Sequence, residues 1–293
     1  MDCKSCNSTS CAAKNQQPQE SEEEFQARQR LTHRMCGIKH KILVLSGKGG
    51  VGKSTVAVNV AASLAHQGYR VGLLDVDVHG PSIPTMLNLT KAGVTQSEDG
   101  IEPVMAGPCL KVISVAFFLE HPEQAVIWRG PMKMAVIKQF LGDVNWGELD
   151  FLIIDSPPGT GDEPLSVCQL IDDMDGCLMV TTPQEVASAD VRRSITFCNQ
   201  LAVPVLGVIE NMSGFRCPKC GEIVNIFSAG GGKKLAEEMN VPFLGSVPIE
   251  PDIARSGDNG KPYVYAFAES PTAQVFEAII TPVIAALNKE DAN

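Results

Sequence analysis

Residues 41–67, KILVLSGKGGVGKSTVAVNVAASLAHQ, decide the fold. They open with a short apolar run, pass through a glycine-rich loop and end in a segment with helical periodicity, which Gly68 closes. The loop, residues 47–54, matches the phosphate-loop pattern G-x-x-x-x-G-K-[ST]. A strand, this loop and a helix in that order predict a phosphate site at the helix N-terminus.

The residue types of the loop suit phosphate chemistry. Glycines let backbone N–H groups approach phosphate oxygens without a clash from Cβ. Lys53 is expected to reach the β- and γ-phosphates, Ser54 to place its hydroxyl on Mg²⁺, and Thr55 to support the α-phosphate. The residues expected to hold the nucleotide here are Gly47, Lys48, Gly49, Gly50, Val51, Gly52, Lys53, Ser54 and Thr55.

Apolar runs and helical segments alternate along the rest of the chain. The strand-like runs are RVGLLDVD, LKVISVAF, FLIIDSPP, CLMVTTP, PVLGVIE and PFLGSVP. Strands that are apolar on both faces and alternate with helices predict an α/β fold, a doubly wound, mostly parallel sheet of the P-loop NTPase type with helices on both faces. We predict one domain over residues 38–293, after a flexible, cysteine-containing tail at 1–37 in which residues 20–34 form a short helix.

The composition excludes several classes of protein. The 293 residues include 24 Lys and Arg against 34 Asp and Glu, a net charge of −10, which disfavours a nucleic-acid partner. No apolar run reaches the roughly 18 residues of a membrane span, and the N-terminus lacks the apolar region of a secretory signal. We therefore expect a cytoplasmic protein without a membrane partner. In that reducing compartment the ten cysteines are expected as ligands, catalytic groups or core residues rather than disulfides.

Carboxylates follow two of the predicted strands. Asp75 and Asp77 end one run and Asp155 ends another, at the sheet edge where open α/β folds bind ligands. Asp155 is expected on Mg²⁺ as a Walker B carboxylate, and Asp75 is expected to hold the ion through water. Asp77 is placed to orient an attacking water. An aspartate in such a position can also be a helix cap or a turn former.

One pair of cysteines has the spacing of metal ligands. Cys217 and Cys220, in CPKCG, supply two thiolates, whereas tetrahedral zinc and a 4Fe–4S cluster each take four. A two-fold homodimer would supply the other two. Cys3, Cys6 and Cys11 lie close together near the N-terminus.

The phosphate loop carries an early second lysine. KGGVGKST resembles the deviant Walker A motif of the MinD, ParA and nitrogenase-iron-protein group of ATPases. The resemblance implies a nucleotide-sandwich homodimer in which Lys48 acts on the partner's nucleotide, and it gives Asp77 the hydrolytic role. It also implies ATP as the nucleotide, with Asn211 and Pro248 at the base. For Asn211 a turn asparagine is the alternative.

Taken together, the motifs resemble one family more closely. KGGVGKST, DVDVHGPS, VIWRGPM, DSPPGTGD, ENMS and CPKCG occur in the order found in Mrp/ApbC-type ATPases. The resemblance implies an ATP-hydrolysing iron–sulfur cluster carrier that binds Mg²⁺, holds a 4Fe–4S cluster through its CxxC at a homodimer interface and passes it to apo-proteins. Its expected partners are a second copy, apo iron–sulfur proteins and the cluster assembly machinery. Cys3, Cys6 and Cys11 resemble the N-terminal cluster site of the related eukaryotic scaffolds, although their spacing differs from the four-cysteine pattern there. They form a second candidate metal or cluster site, with Cys36 as a candidate fourth ligand or with three thiolates alone, and the alternative is exposed thiols without a fixed metal.

Three other functions remain open at this point. The generic ATPase motifs also fit a positioning switch of the MinD/ParA kind, although the chain ends without a basic amphipathic anchor. A bridging cluster would also fit a redox ATPase like the nitrogenase iron protein. The CPKCG pair could instead be a structural zinc knuckle.

Overall fold

Eight strands form one sheet through the centre of the computed structural model, which describes residues 15–18, 20–119, 128–217 and 219–290. The strands in chain order are β1 (Ile38–Ser46), β2 (Val71–Asp75), β3 (Thr95–Ser97), β4 (Gly100–Glu102), β5 (Val104–Gly107), β6 (Leu110–Ser114), β7 (Leu149–Asp155), β8 (Gly176–Thr181), β9 (Val205–Glu210), β10 (Phe215–Arg216), β11 (Ile223–Val224) and β12 (Phe243–Ser246). The sheet order is β12-β9-β8-β1-β7-β2-β6-β5, and every pair except β5–β6 is parallel. Two small antiparallel hairpins, β3–β4 and β10–β11, stand outside it.

Helices cover both faces of this sheet. They are α1 (Glu22–Cys36), α2 (Lys53–His66), α3 (Ile83–Met86), α4 (Gly130–Gly142), α5 (Asp162–Leu170), α6 (Glu185–Gln200), α7 (Gly231–Met239), α8 (Pro251–Asp258), α9 (Tyr263–Ala266) and α10 (Pro271–Glu290). Successive residues of β1 enter opposite cores, since Leu43 packs with α4 to α7 and Val44 packs with α2 and α10. The predicted doubly wound α/β fold is confirmed. No helix within the described ranges is long and apolar enough to cross a bilayer.

The helix α1 is packed on the sheet domain. Ser21 and Glu24 form a capping box at its start, and it buries Leu31 and Met35 against α4. A Cβ on Gly142 of α4 would lie 3.4 Å from that of Leu31, so the two helices are in close contact. The short helix expected near residues 20–34 therefore forms, but residues 22–36 belong to the packed body rather than to a flexible tail. Two apolar side chains one turn apart in a charged helix were too weak a sequence signal.

The β1 strand lies at the topological switch point of the sheet. After β1 the chain goes to β2, which lies on one side of β1 with β7 between them. Later in the chain, β8 lies on the other side of β1. The carboxyl ends of β1, β7 and β2 meet there, because Asp155 is in register with both Val44 and Asp75. Ligands of open α/β sheets bind in this crevice.

Candidate nucleotide and thiolate sites

The phosphate loop has a backbone that only glycine adopts easily. It runs from Ser46, the end of β1, to Lys53, the start of α2, and both Gly50 and Gly52 have φ of +79°. A Cβ on Gly52 would overlap the side-chain amide of Asn211, and one on Gly47 would overlap the α6 backbone at Asp190. The loop is therefore closely packed at Gly47 and Gly52, and it lines a cavity of about 280 Å³.

A buried ion pair lies beneath this loop. The Lys53 ammonium contacts Asp155 Oδ1 and lies 3.3 Å from Ser54 Oγ, and both charged side chains are almost fully buried. Asp155 Oδ2 is buried and has no hydrogen-bond partner within the described part of the chain. A buried carboxylate oxygen without a partner, beside a hydroxyl and an ammonium, suits a magnesium-bound phosphate. These residues therefore fit the predicted nucleotide and ion.

Asp75 adds a second buried carboxylate next to the first. Its Oδ1 accepts the Asp77 N–H at 3.1 Å and its Oδ2 accepts the Ser114 hydroxyl at 2.9 Å. Burial, and then the charge of Asp155, raise the pKa of Asp75 well above its usual range. Burial also raises the pKa of Asp155, although Lys53 opposes this. Two carboxylates that share one ammonium away from water favour a further cation.

Asp77 stands at the rim of the same cavity. Its Oδ1 accepts the N–H groups of His79 and Gly80, each at 3.2 Å, which fixes the carboxylate at the start of the loop after β2. Lys48, Lys53, Ser54 and Asp77 all line the cavity. The three residues predicted to be catalytic therefore surround one space.

A larger cavity of about 540 Å³ adjoins the first and shares Gly52 and Thr55 with it. Asn211 and Pro248, the residues expected at the base, both line it. The Asn211 side-chain amide also donates to the Val51 carbonyl at 2.8 Å, so it braces the phosphate loop. The described residues thus offer one space for phosphates and an adjoining one for a nucleoside.

The cysteine pair lies on the β10–β11 hairpin at the surface. Cys217 donates its N–H to the Glu222 carbonyl at 2.8 Å and accepts the Gly221 N–H at 2.9 Å. Cys220 is exposed and Cys217 is half-buried. Hydrogen bonds from the backbone N–H groups of Cys220 and Lys219 lower the pKa of Cys217, which favours a thiolate.

This hairpin region also exposes large apolar side chains. Ile223, Val224 and Ile226 are about half exposed, at 49% to 56%. In the described ranges no group of three or more His, Cys, Asp or Glu residues could hold a metal ion. The pair therefore offers two ligands from one chain. The other predicted metal ligands, Cys3, Cys6 and Cys11, lie outside the described residues.

Lys133 is a functional candidate that sequence reasoning missed. Its ammonium contacts Glu163 Oε1 at 2.7 Å and His79 Nε2 at 3.0 Å. It thereby joins α4 to the start of α5 and to the loop that carries Asp77. Lys133 follows the quoted VIWRGPM motif and Glu163 follows DSPPGTGD, so their positions beside two motifs were the available signal.

Proteins with similar sequences include iron–sulfur cluster assembly factors and carriers. A cytosolic Fe-S cluster assembly factor NUBP2 homolog of Nematostella vectensis is 52% identical over 250 residues, which is 84% of this chain and 93% of that protein. An iron-sulfur cluster carrier protein of Methanococcus maripaludis is 44% identical over 288 residues, which is 98% and 97% of the two chains.

Solved structures of similar fold include a nucleotide-binding protein and MinD. A nucleotide-binding protein of Archaeoglobus fulgidus in complex with ADP has a TM-score of 0.73 and 41% identity, covering 84% of this chain and 94% of its own. MinD of Aquifex aeolicus, in a MinC–MinD complex, has a TM-score of 0.60 at 19% identity, which shows a shared fold. A ParA family model, described as NUBPL iron-transfer P-loop NTPase, matches residues 37–284. The chain therefore belongs to the NUBPL iron-transfer P-loop NTPases of the ParA family.

Proposed function

We propose that this protein is an ATP-hydrolysing carrier of iron–sulfur clusters that acts in the cytoplasm. It accepts a 4Fe–4S cluster from the assembly machinery, holds it between two copies of the chain and passes it to apo iron–sulfur proteins. The observation that carries this proposal is a surface hairpin beside the nucleotide cavity that presents Cys217 and Cys220, where backbone N–H groups lower the pKa of Cys217. The names of the relatives, cluster assembly factor and cluster carrier, support the same cargo.

The number of ligands favours a homodimer. Cys217 and Cys220 supply two thiolates, and a 4Fe–4S cluster takes four. A two-fold axis near the hairpin would bring both pairs to one cluster and cover the exposed side chains of Ile223 and Val224. A half-buried Cys217 and an exposed Cys220 suit a cargo that must leave again.

Each residue of the phosphate cavity has its own role in the hydrolysis of ATP. Lys53 exchanges its contact with Asp155 for the β- and γ-phosphates, and the loop amides hold the remaining phosphate oxygens. Ser54 and Asp155 would hold Mg²⁺, with Asp75 behind them through water, and the ion would neutralise phosphate charge. Asp77 orients the attacking water, and Lys48 reaches the nucleotide of the second copy. Asn211 and Pro248 contact the adenine.

The N-terminal segment holds a second proposed site. Cys3, Cys6 and Cys11 precede the described residues and would bind a further metal or cluster. We propose that residues from α1 onward form one ATPase domain with the hairpin.

Cluster transfer tests the function directly. The chain is reconstituted anaerobically with iron and sulfide, then mixed with an apo-enzyme that becomes active only with a 4Fe–4S cluster. The wild type and Cys36→Ser, which changes an exposed cysteine of α1, should activate the acceptor equally. Cys217→Ser and Cys220→Ser should fail to do so. Equal activation by all four proteins would contradict the proposal.

A further inference from the structure

The cysteine hairpin is joined to the main chain that follows β12. Ile249 donates its N–H to the Gly214 carbonyl at 2.7 Å, and its own carbonyl accepts the Arg216 N–H at 3.2 Å. Phe215 and Ile249 form a parallel bridge. The residue that precedes Cys217 is therefore tied by its backbone to residue 249.

An ion pair reinforces this junction. Arg216 Nε lies 3.0 Å from Glu250 Oε1, and the Glu250 side chain is only 11% exposed. Glu250 accepts hydrogen bonds from the hydroxyls of Tyr263, at 2.6 Å, and Thr272, at 2.8 Å. Tyr263 and Thr272 are themselves buried, so Glu250 is fixed from the side of the domain while Arg216 holds it from the side of the hairpin.

The same segment is a wall of the larger cavity. Pro248, Ile249, Glu250 and Tyr263 line that cavity together with Thr55 and Asn59 of α2. A nucleoside in the cavity would contact these residues directly. Any shift of this wall would move Arg216, and with it the neighbouring Cys217, through the backbone pairing and the ion pair.

We propose that the Arg216–Glu250 pair couples occupancy of the nucleoside cavity to the position of the cysteine hairpin. This rests on the proposed function for the identity of the two ligands, nucleotide and cluster. Arg216 is thus a positioning residue that touches neither ligand. Because such coupling is reciprocal, a bound cluster changes nucleotide affinity by the same factor that nucleotide changes the affinity for the cluster.

Thiol alkylation in the cluster-free chain measures the coupling. The rate of reaction of Cys217 and Cys220 with N-ethylmaleimide is followed by mass spectrometry, with and without saturating Mg–ADP, and Cys36 serves as the reference thiol. Saturation is set for each variant by titration with ADP. In the wild type, ADP should change the rate at Cys217 by about five-fold or more, the lower range of allosteric coupling.

Two substitutions of arginine by glutamine make a matched comparison. Arg216→Gln should remove the ADP effect, whereas Arg255→Gln should keep it, because Arg255 forms an exposed pair with Asp252 on the neighbouring α8. Glu250→Gln removes the charge of the same partly buried pair from the other side, while its carbonyl can keep one of the two hydroxyl hydrogen bonds, from Tyr263 or from Thr272. It should also remove the effect, which gives a second route if Arg216→Gln does not fold.

Three results would overturn the coupling. They are no ADP effect in the wild type, a wild-type effect in both Arg216→Gln and Glu250→Gln, or an equal loss in Arg255→Gln. The assay contains no cluster, so a negative result leaves the carrier function standing. Conversely, a chain that fails to bind or transfer a cluster would refute the carrier function without changing the alkylation rates.

Discussion

Replacing Asp75 by asparagine should stabilise the nucleotide-free protein while it impairs ATP hydrolysis. Asp75 is fully buried, and its neighbour in register on β7, Asp155, is a second buried carboxylate. Strands in register place such side chains about 5 Å apart, so two charges at an effective dielectric constant of about 20 repel by roughly 3 kcal/mol. Asparagine removes this repulsion and the cost of burying a charge.

Two losses offset part of that gain. Lys53 attracts the Asp75 carboxylate, and the hydrogen bonds from Ser114 and from the Asp77 N–H are weaker to an amide. We therefore expect a net rise of about 1–2 kcal/mol in the free energy of unfolding, which corresponds to about 2–8 °C in Tm for a domain of this size. The two neighbouring carboxylates lower the stability of the empty protein, and hydrolysis requires them because they bind a cation.

The pH dependence of the Asp75→Asn effect has a definite sign. The pKa of Asp75 is raised in the folded protein. Such a carboxyl lowers the free energy of unfolding as the pH rises from the pKa of the unfolded chain, about 3.9, to the higher pKa of the folded protein. Asparagine does not titrate, so the difference between variant and wild type should be larger at pH 8 than at pH 5.

Thermal unfolding in EDTA without nucleotide measures this difference. Asp172→Asn is the control, since Asp172 is an exposed carboxylate. Its Tm should stay within about 1 °C of the wild type at both pH values, as is usual for a surface substitution. A Tm of Asp75→Asn at pH 8 that is equal to or below that of the wild type, in a natively folded variant, would refute the reasoning.

Three further predictions concern the loop, the chemistry and the first helix. Gly52→Ala should weaken ADP binding at least about ten-fold, because φ of +79° strains any residue with a Cβ and the side chain of Asn211 occupies the space. Calorimetric titration measures the affinity, and a wild-type value would contradict the prediction. Asp77→Ala should bind ATP normally but lose hydrolysis, measured as phosphate release; full turnover would remove Asp77 from the mechanism. Leu31→Ala should lower the free energy of unfolding by about 2–4 kcal/mol, since Leu31 is 5% exposed; a loss below about 1 kcal/mol in denaturant unfolding would show that α1 contributes little.

The phosphate loop and the parallel sheet could be predicted because local sequence specifies them. The pattern at residues 47–54 requires glycines and a lysine at fixed positions, and apolar runs mark strands that are buried on both faces. Asp75 and Asp155 could be placed together for the same reason, since parallel strands end at one edge. The order of the motifs along the chain indicates the family without any knowledge of contacts.

Long-range pairs of polar side chains could not be predicted in this way. Arg216 and Glu250 are 34 positions apart in sequence, and no spacing rule connects them; only the parallel pairing beyond β12 brings them together. Lys133 and Glu163 lie on different helices and meet for a similar reason. The packing of α1 depends on its contacts with α4, which the sequence of α1 does not reveal.

Iron, acid-labile sulfide and zinc per chain, measured on anaerobically reconstituted protein, test the central claim most directly. The wild type should hold about two more irons and two more sulfides per chain than the Cys217→Ser, Cys220→Ser double variant, which is one bridging 4Fe–4S cluster per dimer. Taking the difference removes any contribution from Cys3, Cys6 and Cys11. Equal iron and sulfide in both proteins would contradict the account, and about half a zinc per chain without sulfide would replace the carrier by a zinc-bridged ATPase dimer.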